Sequence, residues 1–218
     1  MDAAFWHNKW EKNEIGFHQQ VVHSWMSRNL AQLGELSGKT IFVPLCGKTL
    51  DIAYLLEQGL TVIANELSEL AVIELFASMK LTADISDWSG HGKVYRAEKL
   101  TVYVGDYFEL TPAELSSANY VYDRAAIIAL PLAMRQKYGR QMMSTCGKAS
   151  QLIMTLDYNQ AQMSGPPFSV AGSELEQIYS EHYSIKTLVR ENIIDKEPRF
   201  KQKGLTEFNQ SLYLLNPL

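Results

Sequence analysis

The residue types with most to say about chemistry sit around one turn. Thr40-Ile41-Phe42-Val43-Pro44-Leu45-Cys46-Gly47-Lys48-Thr49 is an apolar run of strand length ending in a tight turn, and a lone acid, Glu66, follows about 20 residues on, where such units place an acid. A carboxylate there can accept hydrogen bonds from the two adjacent hydroxyls of a ribose, and the turn can offer backbone N–H groups to a ligand. Asp106-Tyr107, Asp123-Arg124 and Asp157-Tyr158 each close a later apolar run in the same way. The predicted chemistry is recognition of a nucleoside-type cofactor. The plainer readings are an ordinary strand-turn-helix with a surface glutamate, and aspartates that cap helices or shape turns.

The turn narrows the cofactor. A dinucleotide fingerprint needs three glycines, and here Gly47 stands alone between Cys46 and Lys48. Gly47-Lys48-Thr49 matches the end of a phosphate loop, but Phe42 occupies the position of its first glycine. A turn without pyrophosphate glycines that keeps the ribose acid suits a cofactor without phosphates, of which S-adenosylmethionine is the leading candidate. At this level Glu66 reads as a ligand contact whose loss would spare the unliganded fold.

Other reactive types are sparse. His7, His18, His23, His91 and His182 have no metal-binding spacing; His18 stands beside Phe17 and reads as lining the site or as polar surface packing. Cys46 and Cys146 form no zinc or disulfide pattern, and Cys46 reads as a small packing residue. Arg124 reads either as a ligand contact or as a salt bridge to Asp123 or another acid. Trp6, Trp10 and Phe17 offer faces that attract a cation or fill a core, and Trp25 reads as core.

These residues need a frame. Amphipathic character over residues 2–33 predicts a helical prologue. Strands are then expected at 40–45, 60–66, 100–104, 119–124, 150–156, 184–194 and 207–215, with helices at 49–58, 68–79 and 173–182 and another leading from Pro131 to Thr145. Periodicity fades between 84 and 97, where Ser89-Gly90-His91-Gly92 reads as a turn. Strand alternating with helix predicts an α/β fold with ligands beyond the carboxyl ends of the strands. The length, 218 residues, suits one domain, with 1–33 as a cover segment and 34–218 as the α/β core. A net charge of −4 argues against a general nucleic-acid surface. With no apolar run of membrane-span length and no signal peptide in the first residues, the expectation is a cytoplasmic monomer.

The residues also resemble a family. Phe5-Trp6, Trp10, Ile15-Gly16-Phe17-His18-Gln19, Val43-Pro44-Leu45-Cys46-Gly47-Lys48, Glu66-Leu67-Ser68-Glu69, Tyr122-Asp123-Arg124-Ala125-Ala126 and Gly165-Pro166-Pro167-Phe168 look like the thiopurine S-methyltransferase family, and Asp157 to Met163 look like its bacterial branch. The resemblance implies a Rossmann-like class I S-adenosylmethionine-dependent methyltransferase with about seven mostly parallel strands. It places cofactor contacts at Trp10, Leu45, Glu66 and Arg124, with Asp106 and Tyr107 beside adenine. Trp6 and Phe17 would cover the site and Arg199 would lie near the acceptor, a small aromatic or heterocyclic thiol. No metal and no firmly assigned catalytic residue are implied; Arg124 and Arg199 would orient the substrate. Competing readings are inorganic selenium or tellurium species, halide or thiocyanate as acceptors; a nucleoside-binding protein without turnover; and a nicotinamide-dependent oxidoreductase, against which the missing glycines argue.

Overall fold

The computed structural model describes residues 3–218; Met1 and Asp2, which begin the expected prologue, lie outside the described residues. Helices α1 (Ala3–Glu11) and α2 (Ser24–Asn29) precede strand β1 (Thr40–Val43). There follow α3 (Asp51–Glu57), β2 (Thr61–Glu66), α4 (Glu69–Ser78), β3 (Asp84–Asp87), β4 (Lys93–Ala97), β5 (Leu100–Val104), α5 (Pro112–Leu115) and β6 (Tyr120–Arg124). The chain continues through α6 (Leu132–Cys146), β7 (Ser150–Asp157), α7 (Gly172–Tyr179), β8 (Tyr183–Asn192), α8 (Pro198–Gln202) and β9 (Asn209–Pro217).

Among the described residues the strands form one nine-stranded sheet in the order β3-β4-β5-β2-β1-β6-β7-β9-β8. Strands β5, β2, β1, β6 and β7 pair in parallel at its centre. Antiparallel pairs extend it through β9 and β8 at one end and through β4 and β3 at the other. The seven expected strands are all present. The addition is the β3–β4 hairpin, in the stretch where periodicity fades. All four β3 residues are exposed, so this edge strand buries no face that could imprint alternation on its sequence.

The central strands are apolar on both sides because helices cover both faces of the sheet. Ile41 and Val43 of β1 join a buried cluster with Met26, Ile52, Leu55, Val72 and Leu75, on the side of α2, α3 and α4. Phe42, between them, points the other way into a cluster with Tyr138, Met142, Leu175 and Tyr179 of α6 and α7. A third cluster, including Tyr158, Ile193, Phe200 and Phe208, packs α8 beside the β7 end. Winding reverses at β1, which has β2 on one side and β6 on the other. In such sheets the carboxyl ends of the two strands at the reversal splay apart and leave a crevice. Among the described residues no helix is long and apolar enough to cross a membrane.

Candidate active site

The chain leaves β1 through two residues in the left-handed region, Leu45 (φ 45°) and Gly47 (φ 54°). The first is costly for a branched side chain, and such conformations persist where surrounding structure enforces them. Here the backbone N–H of Cys46 donates to the carbonyl of Asn65 on the neighbouring strand at 2.9 Å. Gly47 is required for a second reason: a Cβ there would lie 3.1 Å from the ring of Trp10, which packs across the turn.

Glu66 ends β2 and is 6% exposed. Its Oε2 accepts the Gly47 N–H at 2.8 Å and its Oε1 accepts the Ser68 N–H at 2.8 Å. Burial raises its pKa, and these N–H groups pull it back. Ser68 then caps α4. Cys46 is buried, and burial first and the Glu66 carboxylate second push its thiol well above the ordinary range, which fits packing and not nucleophilic attack.

Arg124, at the end of β6, is held by one guanidinium nitrogen, Nη1, which donates to Thr49 Oγ1 at 2.8 Å and to Asp51 Oδ2 at 2.9 Å. Its acid partner is therefore Asp51, the first residue of α3, and not the adjacent Asp123. Asp51 is fully buried and also accepts from the His23 N–H at 2.8 Å and the Tyr122 hydroxyl at 3.0 Å. Asp123 faces away, accepting from the Tyr138 hydroxyl at 2.7 Å and from the N–H groups of Ala126 and Ile127. Burial pushes its pKa up to about 6. Ala125, the residue after Arg124, is again left-handed, at φ 65°.

These strand ends form the floor of a cavity of about 650 Å³, ample for a nucleoside and a second small molecule. Asp106 caps the short helical turn after β5 through the Phe108 N–H, and the adjoining Tyr107 is buried with its hydroxyl donating to the Tyr138 carbonyl. The opposite wall is the N-terminal segment. The rings of Trp6 and Trp10 each meet Phe17 edge-on with centroids 5.7 Å apart, and Lys48 Nζ, paired with Glu74 at 2.6 Å, lies 5.9 Å from the Trp10 ring centroid. Arg199 of α8 closes the far side, donating to the Gly16 carbonyl and to Glu197.

Trp6, Trp10, Phe17, Leu45, Glu66, Asp106, Tyr107, Arg124 and Arg199, scattered through the sequence, all line this one cavity. His18 lines it as well. Asp157 does not; it pairs with Arg190 at 3.3 Å. Trp25 packs against the α2–α4 core cluster, as expected. Sequence reasoning missed Phe108, Ile193, Phe208 and Gln210, which also reach the cavity. Of these only Phe108 carried a signal, as the neighbour of Asp106-Tyr107.

The solved structure of 1,6-didemethyltoxoflavin-N1-methyltransferase from Burkholderia thailandensis matches 97% of this chain and 86% of its own with a TM-score of 0.64 at 14% identity, so the two share the class I methyltransferase fold. The thiopurine S-methyltransferase of Teredinibacter turnerae is 43% identical over 193 residues, 88% of this chain and 89% of its own. That of Pseudomonas fluorescens is 39% identical over 213 residues, 98% of each. The family model described as thiopurine S-methyltransferase matches residues 1–217, and on these matches the chain belongs to the thiopurine S-methyltransferase family.

Proposed function

We propose that the chain transfers the methyl group of S-adenosylmethionine to the sulfur of small aromatic or heterocyclic thiols, with Glu66 on the ribose. The observation that carries the cofactor reading is the bond from the Gly47 N–H to Glu66. It takes up a turn donor that a pyrophosphate would need, and Lys48 is committed to Glu74. A phosphate cofactor is poorly served by such a turn. A ribose is well served, because each Glu66 oxygen keeps a second acceptor site for a hydroxyl.

When bound, S-adenosylmethionine supplies a methyl group on a positively charged sulfur. In this reading the faces of Trp6, Trp10 and Phe17 favour that charge. Arg124, fixed by Asp51 and Thr49, keeps two guanidinium nitrogens for the cofactor's anionic end. Arg199 stands at the acceptor side and favours an acceptor that is already a thiolate. Alignment of two bound reactants away from water supplies most of the acceleration, worth about 7–11 kcal/mol in favourable systems.

The N-terminal segment acts as the cover in this account, so amide exchange across residues 5–19 should slow when S-adenosylhomocysteine is added. Equal exchange with and without it would make the segment a fixed wall. The two free, buried cysteines suit a reducing cytoplasm. Incubation of the protein with methyl-labelled S-adenosylmethionine and a panel of heteroaromatic thiols tests the reading: S-methylated product and S-adenosylhomocysteine are expected in equal amounts. Binding without turnover on any thiol would leave a nucleoside-binding protein instead.

A further inference from the structure

The cavity holds a group that the reading above leaves unused. His18 lines it, half-buried, at a turn fixed by its own N–H donating to the Ile15 carbonyl at 2.8 Å. Among the described residues its ring nitrogens make no hydrogen bond. The contrast is His23, whose Nδ1 accepts from the Trp25 N–H and whose Nε2 meets Gln210. Each carboxylate that lines the cavity already has a partner within the protein. Glu66 holds Gly47 and Ser68, Asp106 holds the Phe108 N–H, Glu14 pairs with Lys9 and Glu197 pairs with Arg199. The charged groups that act on His18 are Lys48 of the β1 turn, Glu74 of α4 and Arg124 of β6.

We propose that His18 is the base that takes the proton from acceptors whose sulfur is still protonated at neutral pH, which extends the reaction from heteroaromatic thiolates to arylalkyl and alkyl thiols. This rests on the methyl-transfer reading. The acceptor S–H bond breaks and its proton moves to a His18 ring nitrogen. The freed sulfur pair forms the S–CH3 bond while the methyl–sulfonium bond breaks, its electrons staying on the sulfur of S-adenosylhomocysteine. Two cations beside the site, Lys48 and Arg124, favour the thiolate while it exists. Burial first, then Lys48 and Arg124, lower the His18 pKa against an opposing pull from Glu74, so the ring is neutral and ready at pH 7. Once transfer has removed the thiolate charge, the same surroundings drive the proton from imidazolium to solvent.

The test compares phenylmethanethiol, protonated at neutral pH, with 4-nitrothiophenol, which is ionised there. In His18→Gln the loss in kcat/KM should be about 100-fold greater on phenylmethanethiol than on 4-nitrothiophenol, the scale of general base catalysis. The wild-type rate on phenylmethanethiol should be flat from neutral pH to near the acceptor's own pKa, whereas that of the variant should climb with the thiolate fraction. Imidazole added to His18→Ala should restore turnover of phenylmethanethiol selectively, which guards against a merely misfolded variant. Equal losses on both acceptors, or no loss on either, would overturn the role of His18. Wild-type turnover of 4-nitrothiophenol would still leave the methyltransferase reading standing.

Discussion

Replacing Glu66 by Ala should produce two separable losses, because the carboxylate does two things. In the unliganded protein it accepts the N–H groups of Gly47 and Ser68, both at 2.8 Å. Removing it leaves two buried donors without an acceptor. Each such donor costs about 1–3 kcal/mol, and water entering from the adjoining cavity favours the low end, so about 2 kcal/mol in all. For a chain of this length that lowers Tm by roughly 4–8 °C. The second loss is the hydrogen bonding of the ribose to a charged group, about 1.5–3 kcal/mol if it amounts to one net bond, or roughly tenfold to 150-fold in Kd. Melting without ligand reads the first, and calorimetric titration with S-adenosylhomocysteine at a temperature where both proteins are folded reads the second. Glu66→Gln keeps one acceptor oxygen and should fall between on both. Unchanged affinity in Glu66→Ala would refute the ribose assignment; an unchanged Tm would refute the structural role of the two backbone bonds.

Arg124→Lys keeps the charge but not the planar fork that reaches Thr49, Asp51 and a ligand together, so KM for S-adenosylmethionine should rise by about tenfold, the equivalent of one charged hydrogen bond. Asp51→Ala should be harsher, costing about 3–5 kcal/mol of stability by leaving Arg124 without its buried partner, measurable by denaturant titration. The pH dependence of stability should show two opposed contributions. Asp123 has its pKa raised from 3.8 to about 6, so the folded state binds more protons and stability falls by about 3 kcal/mol as pH rises through that window. His23, depressed from 6.5 to about 4 mainly by burial, acts the other way, since the unfolded state then binds more protons and stability rises with pH. From these two groups the wild-type profile between pH 4 and 6 should be nearly flat, while Asp123→Asn should show stability climbing with pH; a variant profile parallel to the wild type would remove Asp123 from the account.

The parts of the site that were legible in the sequence are those set by local chain. The turn at Pro44 to Lys48, the acid at Glu66 and the residues closing β5 and β6 are placed by strand length and by the parallel alternation, and they do meet at one edge. The partner of Arg124 was not legible. Asp51 lies 73 residues away, and its burial and its bonds to His23 and Tyr122 exist only once α3, the α2 entrance and β6 are packed together. For the same reason Glu66 read as a ligand contact alone, since its backbone partners depend on the exact path of the β1 turn. Ile193, Phe208 and Gln210 come from the last third of the chain, and no spacing there relates them to the first turn; tertiary packing of α8 and β9 brings them in. The β3–β4 hairpin escaped because an exposed edge strand has no hydrophobic period to read.

The central claim is methyl transfer to sulfur, and a matched pair of heteroaromatic acceptors differing only in thiol or hydroxyl tests it most directly. With methyl-labelled S-adenosylmethionine and both acceptors present in competition, label should appear on sulfur, in step with S-adenosylhomocysteine release, with the hydroxyl compound recovered unmethylated. The site offers an arginine for an anion already formed, and at neutral pH the matched hydroxyl is ionised far less than the thiol. Label on oxygen in preference to sulfur would contradict the account.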